Sequence, residues 1–124
     1  MKKAALPEEL LRECRAKLLE ARKDILNRVR VAREEFHAVE KTGGDEADQT
    51  MQILAEQDFL ASQQRLNELL MEIDFALARM ENGSYGICEE TEEPIEEARL
   101  RAIPWTRLSI EGAEIREALK RRYA

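Results

Sequence analysis

Between Glu8 and Thr42 the chain has no glycine and no proline, and apolar residues return every seven positions at Leu11, Leu18, Ile25, Ala32 and Val39. Cys14, Ala21, Val29 and Phe36 fall between them at spacings of three or four. This is a heptad seam, and a helix that carries one must lay it along a partner helix to keep it dry. Leu6-Pro7-Glu8-Glu9 reads as the helix start, because proline fits the first turn and acids favour the positive end of the helix dipole. At 1.5 Å per residue such a helix is roughly 50 Å long.

The partner lies in the same chain. After Gly43-Gly44 the pattern resumes at Phe59, Leu66, Ile73 and Met80, with Ala55, Ser62, Leu69 and Ala76 between. Leu60, Leu70 and Leu77 widen the apolar face, so further packing is expected on that side. The glycine pair reverses the backbone at little steric cost, and Asn82-Gly83 supplies a left-handed stop. Two long helices joined by a short turn make an antiparallel hairpin with residues 42–50 at its tip. Charge agrees with the pairing. Residues 1–43 hold eleven basic and eight acidic residues, whereas residues 44–82 hold two basic and nine acidic ones. Opposite signs help select the partner and register, although each exposed pair contributes only about 0–1 kcal/mol.

Composition fits long solvated helices better than a thick core, with 37% charged and 5% aromatic residues among 124. A net charge of −6 makes wholesale phosphate binding not the obvious mode, and no direct DNA binding is expected. No apolar run approaches the roughly 18 residues of a membrane span, and the first residues lack a signal-peptide core. The two cysteines, Cys14 and Cys88, form no disulfide pattern. A cytoplasmic protein with no membrane association is expected.

From residue 84 the pattern changes. Ser84 to Cys88 is short and strand-like, Glu89 to Pro94 reads as a turn, and Ile95 to Ala98 can begin a helical turn. Leu100 to Trp105 is expected to be extended beside Pro104. Tyr85, Ile87, Ile95, Leu100, Ile103, Trp105 and Leu108 are the expected core of a small head. A closing helix runs from Ile110 to the basic Lys120-Arg121-Arg122. The expected organisation is residues 1–83 as amino-terminal helix and hairpin, and 84–124 as head and closing helix packed with the amino-terminal segment. The fold class is mainly α.

The segment Tyr85-Gly86-Ile87-Cys88-Glu89-Glu90-Thr91, with Pro94-Ile95, Ala98-Arg99-Leu100, Pro104 and Leu108 to Gly112, resembles the zinc-finger head of the DksA/TraR family of bacterial transcription regulators. That head reads Gly-x-Cys-x-x-Cys, seventeen residues, then Cys-x-x-Cys. The spacing falls here on Cys88, Thr91, Ser109 and Gly112. Only the first of these is a zinc ligand; hydroxyls bind zinc poorly and glycine has no side chain. The chain therefore looks like the zinc-independent paralogue type, with a degenerate finger, no bound metal and no cofactor. Packing of the apolar head residues is expected to replace the metal. Cys88 reads as a small packed side chain, and its neighbours Glu89 and Glu90 are expected to raise its pKa and blunt any redox role.

The resemblance covers nearly the whole chain. The acidic tip motif Asp-x-x-Asp-x-Ala of DksA-type members corresponds to Asp45-Glu46-Ala47-Asp48-Gln49-Thr50, with threonine last. It implies a non-enzymatic regulator, expected to be a monomer. It would bind RNA polymerase through the secondary channel and place Asp45, Asp48 and Thr50 near the active site. There it would modulate initiation, as at ribosomal RNA promoters, in the stringent response with guanosine tetraphosphate. A lysine that family members use with that nucleotide is replaced here by Glu72. Three readings compete. Asp45 and Asp48 can simply cap a helix. Paired acids can recruit a metal, as in Gre-type transcript-cleavage factors. The seam can serve a generic coiled-coil scaffold.

Overall fold

The computed structural model describes residues 5–40 and 46–123, without the side chains of 39, 40 and 46–48. Four helices follow in order: α1 (Glu8–Glu40), α2 (Glu46–Asn82), α3 (Glu97–Ala102) and α4 (Ile110–Arg122). α1 has 33 residues and α2 has 37, or about 50 and 55 Å of helix. Pro7 accepts the N–H of Leu11 at 3.1 Å, and Glu8 and Glu9 occupy the first turn, as the helix-start reading required. The fold is the mainly α hairpin with a small head and a closing helix. The Gly43-Gly44 turn lies outside the described residues. No described helix is long and apolar enough to cross a membrane.

Packing divides the chain inside both long helices. Met1–Glu20 and Glu72–Ala124 form one compact unit, and Ala21–Met71 forms the other. Composition changes at 83/84, yet the first turns of α1 and the last turns of α2 belong with the head. In that unit Leu10, Cys14 and Leu18 of α1 are buried, as are Ile73 and Ala76 of α2 and Tyr85, Cys88, Ile95 and Leu100 of the head. Each large apolar side chain so buried contributes about 1.5–3 kcal/mol. The heptad count placed Leu11 on the seam, but Leu10 is the fully buried residue and Leu11 is half-buried. Residues 10, 14 and 18 recur every four positions and form one stripe.

The second unit is a helix pair. The Phe36 and Phe59 rings stack with centroids 4.3 Å apart, and Gln63 donates to the carbonyl of Val29 at 3.2 Å. Residue numbers fall along α2 as they rise along α1, so the pair is antiparallel. Ile25 is buried here, while Met51, Ile53, Leu54 and Leu60 are exposed. Leu60, read as part of a widened apolar face, is 57% exposed. Local pairs brace α1 itself, Asp24 with Arg28 and Arg30 with Glu34.

In the head, Gly83 takes φ 82° and ends α2, and the N–H groups of Ser84 and Tyr85 return to the Arg79 carbonyl. The strand-like expectation for 84–88 reduces to one antiparallel bridge between Ile87 and Pro94. α3 carries Leu100 to Ala102 in helix, not in the extended form expected. The proline restricts only its immediate neighbour, Ile103, which has φ −133°. Tyr85, Ile95 and Leu100 are buried as expected, whereas Ile87, Ile103, Trp105 and Leu108 are half-buried.

Candidate functional site

Of the three expected tip residues, Asp45 lies outside the described residues. Asp48 lies in the first turn of α2, its side chain outside the description, and Thr50 is exposed two residues further along. The site whose chemistry is visible is the one built around Cys88.

Two short pieces of chain form it. The first leaves the Ile87–Pro94 bridge and turns. Cys88 donates its N–H to the Glu93 carbonyl at 2.9 Å, and Glu92, at φ 59°, returns its own N–H to the Cys88 carbonyl at 2.9 Å. The second is the start of α4. Ser109 is its N-cap, and its hydroxyl oxygen accepts the Gly112 N–H at 3.0 Å. A serine N-cap three residues before a free backbone N–H is the arrangement that satisfies one orphan donor of a helix start.

These two pieces bring all four sequence-predicted positions together. Cys88 is fully buried and Ser109 nearly so. The Thr91 N–H approaches Cys88 Sγ at 3.5 Å. A Cβ added to Gly112 would overlap Cys88 Sγ and would sit 3.3 Å from Ser109 Oγ. The sulfur therefore rests directly against the first turn of α4.

The thiol's acidity departs from the expectation. Burial pushes Cys88 up, but the Ser109 and Thr91 hydroxyls and the backbone N–H groups of both residues outweigh it, bringing the pKa down to about 7. Glu89 and Glu90 were expected to raise it. Their carboxylates instead face arginines: Glu89 lies 3.8 Å from Arg107 and 3.6 Å from Arg116, and Glu90 lies 3.1 Å from Arg116. The adjacent-acid argument failed because it counted neighbours in sequence and not side-chain direction.

Around this centre the basic residues are engaged. Arg99 donates to the Leu108 carbonyl at 2.8 Å, Arg101 pairs with Glu13 at 3.1 Å, and Arg107 pairs with Glu72 at 2.8 Å. Arg101 is the main reason the exposed Glu13 carboxyl sits below its usual value. Tyr85 donates its hydroxyl to the Pro104 carbonyl at 2.8 Å, and burial raises its pKa. A shallow cleft of about 220 Å³ is lined by Glu72, Arg99, Trp105, Arg107 and Arg116 among others. No sequence spacing marked Arg116, whose role depends on folding α4 against residues 89 and 90.

The residues at the four-position site do not fit a zinc ion. Tetrahedral structural zinc needs four soft or nitrogen ligands at about 2.0–2.3 Å. One thiol, two hydroxyls and a glycine supply one such donor. A side chain at Gly112 would also meet Cys88 Sγ, so the fourth position has no room for a ligand in this arrangement. Among the described residues, no three His, Cys, Asp or Glu side chains converge to hold a metal.

Comparison with known proteins agrees with the position of this site. Residues 83–118 match the family model for the prokaryotic dksA/traR C4-type zinc finger. The RNA polymerase-binding transcription factor DksA of Caulobacter vibrioides is 36% identical over 117 residues, which span 94% of this chain and 72% of that protein. A protein of Aquifex aeolicus is 38% identical over 114 residues, 86% of this chain and 76% of its own length. The solved structure of transcription factor DksA2 from Pseudomonas aeruginosa superimposes with a TM-score of 0.84 at 35% identity, covering 95% of this chain and 91% of that one. With the finger spacing, the hairpin and this extent of identity in agreement, the chain belongs to the DksA/TraR family.

Proposed function

We propose that this chain is a non-enzymatic transcription regulator that binds RNA polymerase directly through its secondary channel. The hairpin tip, with Asp45, Asp48 and Thr50, comes near the active site. From there it modulates initiation, ribosomal RNA promoters included, in the stringent response with guanosine tetraphosphate and without a need for zinc. The observation that supports this most is identity of 36% over 72% of the length of a factor named for binding RNA polymerase. Helices of 33 and 37 residues are long enough to reach into a deep channel. At such a site carboxylates act by charge on mobile or basic elements of the enzyme, and no bond is made or broken by the regulator. The finger match over 83–118 favours this reading over a Gre-type cleavage factor or a scaffold.

Metal independence rests on the donor set at Cys88, Thr91, Ser109 and Gly112. The nucleotide response is expected to be weaker than in a relative with lysine at position 72. Glu72 puts a negative charge on the cleft and holds Arg107 at 2.8 Å, so an anionic ligand would meet repulsion there.

The test is promoter-specific transcription with Asp45→Asn/Asp48→Asn, with and without guanosine tetraphosphate. The double variant should bind polymerase core like wild type, in competition with a Gre-type factor, while losing at least about tenfold of its effect on a ribosomal promoter. That corresponds to about 1.4 kcal/mol in the affected step. Unchanged regulation would reduce the two aspartates to helix caps.

A further inference from the structure

The head presents a puzzle. In a four-cysteine finger the metal joins a first knuckle to a second, and here that cross-link is missing. The two knuckles are nevertheless joined by charge. Glu72 of α2 accepts from Arg107 Nε at 2.8 Å. Arg107 Nη1 lies 3.8 Å from Glu89, Glu89 lies 3.6 Å from Arg116 Nη2, and Arg116 Nε donates to Glu90 at 3.1 Å. The signs alternate along the whole series.

We infer that Glu72, Arg107, Glu89, Arg116 and Glu90 form an ionic clamp that fastens the first knuckle to the second and to α2, in place of a metal. This rests on the metal-free reading of the head.

Placement carries the argument. Glu89 and Glu90 follow Cys88 directly on the first knuckle. Arg107 precedes Ser109 by two residues, and Arg116 follows Gly112 by one helical turn on the second. The charges thus flank the same two pieces of chain that four ligands would join. The backbone adds one bond between them, from the Glu89 N–H to the Arg107 carbonyl at 2.9 Å. The Arg107 guanidinium carbon also lies over the Phe75 ring, 5.0 Å from its centroid. Burial and the neighbouring Arg107 charge lower the Arg79 pKa, while Glu89 and Glu72 oppose that shift.

An isolated exposed pair would not suffice. These side chains are 27–43% exposed, and they form a network whose ends lie on different elements. Such a network resists separation more than isolated pairs do. Unlike a metal it is weakened by salt, since the screening length falls from about 10 Å at 0.1 M to about 3 Å at 1 M. The head should then be indifferent to chelators and sensitive to ionic strength, the reverse of a zinc finger.

The test uses the full chain. Thermal unfolding is followed at about 0.05 M and about 1 M NaCl for wild type, Arg116→Met, Arg107→Met/Arg116→Met and the control Arg121→Met. Metal content is measured on each sample. At low salt Arg116→Met should melt about 3–6 °C below wild type, and the double variant lower still. The wild-type difference between the two salts should shrink at least about twofold in the double variant and persist in Arg121→Met. Arg116→Lys, which keeps the charge but not the planar fork, guards against a variant that fails to fold. It should raise hydrogen exchange of the Cys88, Glu89 and Glu92 amides over wild type. Zinc-free protein in which these variants melt, respond to salt and exchange like wild type removes the clamp and leaves metal independence standing. About one zinc per chain in wild type removes both.

Discussion

The two compact units use the same pair of helices in opposite ways. In the unit that contains the head, α1 and α2 bury Leu10, Cys14, Leu18, Ile73 and Ala76, and the loops add Tyr85, Cys88, Ile95 and Leu100. In the other unit, among the described residues, Ile25 is the one apolar side chain that is buried. Met51, Ile53 and Leu54 face solvent on its α2 segment. A two-helix layer has only one seam to bury, whereas a helix pair with a third layer against it can enclose side chains on all sides. Stability should accordingly be concentrated around the head.

The strongest way to break that comparison is to empty the enclosed side of it. Leu100 is fully buried, and the thiol of Cys14 reaches its carbonyl at 3.6 Å. Leu100→Ala should cost about 2–5 kcal/mol in denaturant unfolding. Ile53→Ala, at a residue 56% exposed, should stay within about 0.5 kcal/mol. Equal losses at the two positions would mean that the hairpin seam carries as much of the stability as the head.

A smaller effect sharpens the picture at the knuckle. Gly112→Ala places a methyl group onto Cys88 Sγ, so the sulfur or the helix start must shift. Overpacking of this kind costs about 1–3 kcal/mol. Cys88→Ala removes the sulfur, so the double variant Cys88→Ala/Gly112→Ala should lose less than the sum of the two single variants. A coupling of at least about 0.5 kcal/mol in the cycle is expected. Strict additivity would mean that the two residues do not touch in solution.

Much of this was legible in the sequence for a simple reason. Helical periodicity reports on burial along one seam, so α1 and α2 emerged with boundaries close to those observed. The finger spacing likewise brought Cys88, Thr91, Ser109 and Gly112 together. What it could not supply was direction. Leu10 replaces Leu11 in the core because the stripe at the start of α1 repeats every four residues, a pattern the heptad count overlooks. Glu89 and Glu90 adjoin Cys88 in the chain, but their carboxylates lie on Arg107 and Arg116. Nothing in the spacing of Arg116 marks it as their partner, since that contact exists only once α4 is capped by Ser109 and packed.

The subtlest expected difference between the two regions is in their response to pH. The Cys88 thiol ionises near 7 in the fold, against an ordinary value of about 9. Between those values the folded chain has released the proton and the unfolded chain still holds it, so unfolding takes up a proton and stability rises with pH. Below about 7 both states are protonated and the contribution is gone. The melting temperature of wild type minus that of Cys88→Ala should therefore climb from pH 7 to pH 9 and level off on either side. The subtraction removes contributions common to both proteins. Thiolate absorbance in the native protein offers an independent reading of the same event. A flat difference across the window would mean that the donors from Thr91 and Ser109 only position a neutral thiol. The knuckle would then be held by shape and by its flanking charges, with no part played by the sulfur's own charge.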